Sequence, residues 1–161
     1  MSLAISSLLG GLLKTGIDQW SKNQDFNTLR LLAHERISRE LFWNQECLNV
    51  RRKEEQRSYW ELIRTEAFDE LVNMGAPVDE LFRDPIHALN EADSPLIDAQ
   101  LRSRIEKSDR ISMLLDRTYN RLWMLRHRTS KELSPGDISY LRKLVKLSLH
   151  EVNHYRGVYQ K

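Results

Sequence analysis

The sequence predicts an all-α protein: an antiparallel bundle of three to four long helices, with an additional amphipathic helix at the N-terminus. Apolar residues recur at three- and four-residue spacing over long stretches, which is the period of a helix and not the alternation of a half-buried strand. Only 6 glycines and 4 prolines interrupt 161 residues, too few turn formers for the many short strands of an all-β domain. No window reads as a strand bounded by turn residues, and no internal repeat or low-complexity linker stands out. The connections between helical stretches are short, which favours antiparallel neighbours.

Residues 1–22 read as the extra helix and residues 23–161 as the bundle domain. Ile5, Leu8, Leu9, Leu12, Leu13, Ile17 and Trp20 fall on one stripe of the first segment, opposite a face of Ser6, Ser7, Gly10, Gly11, Lys14, Thr15 and Asp18. Its apolar run of about eleven residues is short of the roughly 20 that span a bilayer. No basic residue precedes it and no small-residue cleavage pattern follows, so it is a poor secretory signal. The expected role is docking, on this bundle or on a second subunit. The alternative is a membrane-surface helix held by lipid packing defects, since a Ser/Gly face offers little charge.

Ser21, Asn23 and Asp25 are candidate caps for the next helix. Leu29, Leu32, Ala33, Ile37, Leu41 and Leu48 make its buried stripe, with Glu35–Arg39 and Arg36–Glu40 as four-residue ion pairs. Asn44 also falls on the stripe, where it either finds a hydrogen-bond partner and fixes register or sits at the rim. The run Arg51 to Arg57 is interrupted by Glu54 and Glu55 and reads as a solvated stretch of helix. Ser58 and Glu61 form a capping-box pattern that starts a new helix; without that break, residues 26–74 make one rod of about 75 Å. Gly75 and Pro77 end it. The following stretch is cut by Pro85 and folds against the bundle through Leu81, Phe82, Ile86 and Leu89.

Ser94–Pro95 is a helix-start signal. It predicts a helix of about 33 residues, near 50 Å, with Leu101, Ile105, Leu115, Tyr119 and Leu122 facing inward. Arg126, His127, Arg128 and Lys131 gather at its end, where cations oppose the helix dipole. Ser134–Pro135 repeats the start signal, and the last helix reaches about Tyr155.

Composition bounds the function. The chain has 25 basic and 23 acidic residues for a net charge of +2, so no global field draws it to nucleic acid, which is not an expected partner. The single cysteine, Cys47, cannot form an intramolecular disulfide. That fits a reducing cytoplasm, and Cys47 reads as a small residue at a helix interface.

Two patterns suggest chemistry. His150, Glu151 and His154 spell H-E-x-x-H, which sets two imidazoles one helical turn apart with a glutamate between them. With Gly157 the run resembles the longer zinc signature of the metzincin proteases, but Gln160 stands at the third ligand position and amide oxygen is a poor zinc ligand. Helix phase sharpens this: with Leu141 as zero, Leu144, Val145, Ser148, Val152 and Tyr155 lie within about 60°, whereas His150 falls near 180° and His154 near 220°. Both histidines are expected away from the core, beside Lys143 and Lys146, with Glu151 as a flank residue. Arg121 and His127 match the R-x4-6-H spacing and so resemble the HEPN ribonucleases, helical bundles in which those two residues cleave RNA across a dimer interface. Leu122 occupies the place where that family often has Asn.

The functional expectation is a non-catalytic helical interaction or oligomerisation module that needs no cofactor. It would bind a protein partner or itself, in the cytoplasm or peripherally on a membrane, using the stripe from Ile5 to Trp20. A HEPN-like ribonuclease using Arg121 and His127, and a metal-binding bundle using His150 and His154, are the alternatives.

Overall fold

A computed structural model describes residues 23–50, 53–91, 94–105, 110–127 and 134–160. The stripe Ile5, Leu8, Leu9, Leu12, Leu13, Ile17 and Trp20 lies outside the described residues. Among the described residues the elements are all helical: α1 (Asn23–Leu48), α2 (Lys53–Trp60), α3 (Glu66–Asn73), α4 (Val78–Leu81), a 3-10 turn (His87–Asn90), α5 (Ala99–Ile105), α6 (Ile111–His127) and α7 (Pro135–Tyr159). No helix among the described residues is long and apolar enough to cross a membrane.

Most of the expected stripe of α1 is buried: Leu29, Ala33, Ile37, Leu41 and Leu48 are in the core, and Leu32 is half-buried. Residues 26–74, however, form neither one rod nor a helix that begins at Ser58. α2 ends at Trp60 and α3 begins after Thr65. Asn44 explains the break. Its side-chain N–H donates to the Arg64 carbonyl at 2.7 Å, and the Arg64 N–H donates back to its Oδ1 at 2.8 Å. One residue earlier, the Trp43 indole donates to the Leu62 carbonyl at 2.8 Å. Backbone groups paired with α1 side chains are not available for helical rungs, so the chain stays irregular there.

The ion pairs divide in the same way. Glu35–Arg39 forms, but Arg36 pairs with Glu70 instead of Glu40, because Glu40 is buried and accepts from the Ala67 N–H at 2.9 Å. Gly75 ends α3 as expected: with φ of 66° it lets the Ala76 N–H reach the Leu71 carbonyl and its own N–H reach that of Val72, a Schellman closure.

The long helix expected from Ser94 is also divided. Ser94 sits in a turn, and α5 starts at Ala99, where Asp98 accepts from the Leu101 N–H at 2.7 Å. α6 starts separately, because the N–H groups of Ile111 and Ser112 donate to the carbonyls of Asp84 and Phe82. These groups have no partner within their own helix, so the 82–84 segment fixes where α6 begins. α7 follows its sequence signal: Ser134 and Asp137 form a reciprocal capping box, with Pro135 in the first turn.

Two apolar clusters meet at α7. One joins α1, α3, α4 and α6 to Leu141, Val145 and Val152; the other joins Ile86, Ile97, Leu101 and Ile105 to Tyr140, Leu144 and Leu147. Polar contacts order the seams. Ser38 bonds to Asn153 and Arg142 to the Leu48 carbonyl between α1 and α7. Between α6 and α7, the Thr118 hydroxyl donates to the Leu114 carbonyl at 2.8 Å, so Ser148 is the donor in the 2.9 Å Thr118–Ser148 bond.

Candidate functional site

α7 is buried on more of its circumference than the phase reading assumed. The second flank, Tyr140, Leu147 and Glu151, lies about 100° from Leu141 and packs on the 86–105 region. Glu151 is therefore not a flank residue in solvent. It is fully buried, and its two oxygens accept from the N–H groups of His87 at 2.7 Å and Ala88 at 3.1 Å. Both oxygens are occupied at the start of the 3-10 turn, where unpaired N–H groups favour a negative charge.

The histidines on either side of Glu151 diverge. His150 is exposed, and His154 is half-buried, stacked on His87 with ring centroids 4.3 Å apart. Among the described residues, no group of three or more His, Cys, Asp or Glu side chains is placed to hold a metal. Arg121 and His127 also have separate neighbours. The Arg121 guanidinium lies over the Tyr140 ring, 4.7 Å from its centroid, on the inner side of α6. His127 is exposed, stacks on Trp123 at 4.5 Å and contacts the Trp123 carbonyl through Nδ1.

The most concentrated polar cluster escaped the sequence reading. His34, in the buried stripe of α1, stands between the Val152 carbonyl at 3.2 Å from Nδ1 and the Leu81 carbonyl at 3.1 Å from Nε2. It stacks on Phe82 at 4.6 Å. One turn earlier, Arg30 donates to the Leu81 carbonyl at 3.0 Å, pairs with Asp84 at 2.5 Å and lies 3.9 Å from the centre of the Tyr159 ring. Tyr159 donates to the same Asp84 oxygen. Burial lowers the His34 pKa against the pull of the two carbonyls, and burial with the Asp84 bond raises that of the Tyr159 phenol. In sequence, His34 and Arg30 look like interruptions of an apolar stripe; Leu81, Asp84, Val152 and Tyr159, which explain them, are 47 or more residues away.

The cluster joins α1, the 81–84 segment and α7, and most of its donors and acceptors bond to the protein itself. Its evident role is to lock the end of the molecule at which α1 begins. Elsewhere the surface carries large apolar side chains. Met113, Trp123 and Met124 on α6 are 45%, 51% and 43% exposed, and Phe42, Trp43 and Leu62 are exposed where α1 meets the 61–65 segment.

No protein-family model, no curated protein and no solved structure matches this chain.

Proposed function

We propose that the chain is a non-catalytic helical module that acts by protein association, including association with a second copy of itself. The outward face of α6 carries this reading. Met113 and Met124 lie about three turns apart and share a face, and Trp123 flanks it. Tryptophan and methionine are enriched at protein interfaces, so the exposed Trp123–Met124 pair, with Met113 further along the same face, supports contact with another surface.

The settings of the other candidate residues favour the same reading. Arg121 is held over Tyr140, and Glu151 is occupied by two backbone N–H groups, so neither ribonuclease nor zinc-hydrolase chemistry gains support from its surroundings. The long helices fit an antiparallel bundle: partners of α1 residues 38 and 48 step backward along α7 from 153 to 142, and those of α6 residues 118 and 121 step backward from 148 to 140. In this reading the protein is cytoplasmic, and Ile5, Leu8, Leu9, Leu12, Leu13, Ile17 and Trp20 supply a second contact, with a partner or a membrane surface.

Sedimentation equilibrium of the full chain tests the reading, with the M124E and W123E variants alongside. Concentration-dependent self-association that both substitutions weaken is the expected result. A chain that stays monomeric up to about 1 mM, where a contact of about 4 kcal/mol is half formed, overturns self-association. Liposome flotation with and without residues 1–20 tests the membrane contact; equal flotation of both forms removes it.

A further inference from the structure

Where the end of α1 meets the first half of α7, a cleft of about 130 Å³ is lined by Gln45, Leu48, Asn49, Arg142, Lys143 and Lys146. Three of these six side chains are cations, two are carboxamides, and no carboxylate is among them. At roughly 30 Å³ per water, the space holds about four waters, which suits a small polyatomic anion and is far below the several hundred Å³ of a drug-sized site.

The three cations are not equally engaged. The Arg142 Nε–H donates to the Leu48 carbonyl at 2.7 Å, which anchors the guanidinium while its two terminal nitrogens have no partner among the described residues. That bond also gives the last carbonyl of α1 a cationic partner. Lys143 pairs with Asp98 at 2.5 Å, at a site where neither side chain is deeply buried. Lys146 is exposed and has no ion-pair partner among the described residues. Two of the lining cations, Arg142 and Lys146, thus have no carboxylate partner among the described residues, and Gln45 and Asn49 add carboxamides to the lining. A planar guanidinium fork beside an ammonium matches the oxygens of a phosphate, and a phosphate monoester brings close to two negative charges at neutral pH.

We propose that this cleft binds a phosphate monoester group, with Arg142 as the fork, Lys146 as the second charge, and Gln45 and Asn49 as amide donors. The phosphate belongs either to a small solute or to a lipid headgroup. The site does not depend on the α6 face, so it stands or falls separately from the association reading.

Amide chemical shifts of the 15N-labelled full chain, titrated with sodium phosphate against sodium chloride at a matched ionic strength of about 0.15 M, test it. Residues 45–49 and 142–146 should shift and saturate in phosphate and stay still in chloride. Lys146→Gln, a substitution at an exposed position, should weaken the phosphate Kd about tenfold, the size of one charge-assisted contact. Arg142→Lys keeps the charge, loses the fork and should also weaken binding, whereas Arg83→Gln, an exposed cation beside Asp84, should leave it unchanged. A second arm uses phosphatidylcholine vesicles with and without phosphatidic acid: flotation that requires phosphatidic acid and is lost in Lys146→Gln assigns the phosphate to a lipid headgroup. Affinity unchanged by Lys146→Gln in both arms, or no saturable response in either, overturns the proposal.

Discussion

Glu151 on α7 and Glu40 on α1 are both buried carboxylates that reach from a long helix to N–H groups at the start of a short one, yet they are satisfied to different degrees. Glu151 has an oxygen on each of two successive N–H groups, those of His87 and Ala88. Glu40 has one oxygen on the Ala67 N–H, while its other oxygen and the nearby Tyr119 hydroxyl are buried without a well-formed bond to each other. Burial accordingly raises the Glu40 pKa above the usual carboxylate range, and that of Tyr119 well above the usual phenol range. A buried carboxyl with few donors moves toward its neutral form.

Substitutions can break this comparison, and the largest effect is expected at Glu151. Glu151→Ala leaves two N–H groups without an acceptor inside the protein and should cost about 3 kcal/mol in denaturant unfolding. A loss below about 1 kcal/mol would show that the 3-10 turn does not depend on the carboxylate.

Asn44→Ala comes next. It removes both bonds to Arg64 and should cost about 2 kcal/mol, because the irregular 61–65 segment loses its tie to α1. Hydrogen exchange should speed up in α3 before it does in α7; uniform acceleration would argue against a local tie.

Glu40→Gln is the sharpest contrast. Glutamine keeps an acceptor for Ala67 and removes a charge that the site only partly supports, so stability should change by less than about 1 kcal/mol at pH 7. A loss as large as that of Glu151→Ala would erase the difference between the two sites.

The smallest effect appears only on acidification. Because burial lowers the folded pKa of His34 below the ordinary imidazole value of about 6.5, the unfolded chain takes up the proton first. The stability His34 supports is complete above about pH 6.5 and is lost as pH falls through the folded pKa. His34→Gln should flatten the fall in stability below about pH 6.5, and an unchanged profile would rule His34 out as its source.

The helical class, most of the buried stripe of α1, the stop at Gly75 and the helix start at Ser134–Pro135 were legible in the sequence, because helix period and caps act over a few residues. The candidate site was much less legible. A one-sided phase reading of α7 placed His150 in solvent correctly but put Glu151 on a flank, since only the packing of residues 86–105 reveals the second buried face. The breaks after Trp60 and before Ile111 were obscured for a related reason: helix formers continue through both, and Asn44 and the 82–84 carbonyls take up the backbone from elsewhere in the fold.

By itself the sequence determined that this chain forms helices, which residues of α1 turn inward, and where two helices stop or start, since each depends on neighbours within about two turns. Tertiary structure alone decided that Glu151 is a buried cap, that Arg30 and His34 join a cluster with Asp84 and Tyr159, and that Gln45, Asn49, Arg142 and Lys146 share one cleft. Those residues meet across separations such as the 64 positions between His87 and Glu151. No local periodicity encodes such a meeting; it follows from the way α7 packs on both clusters at once.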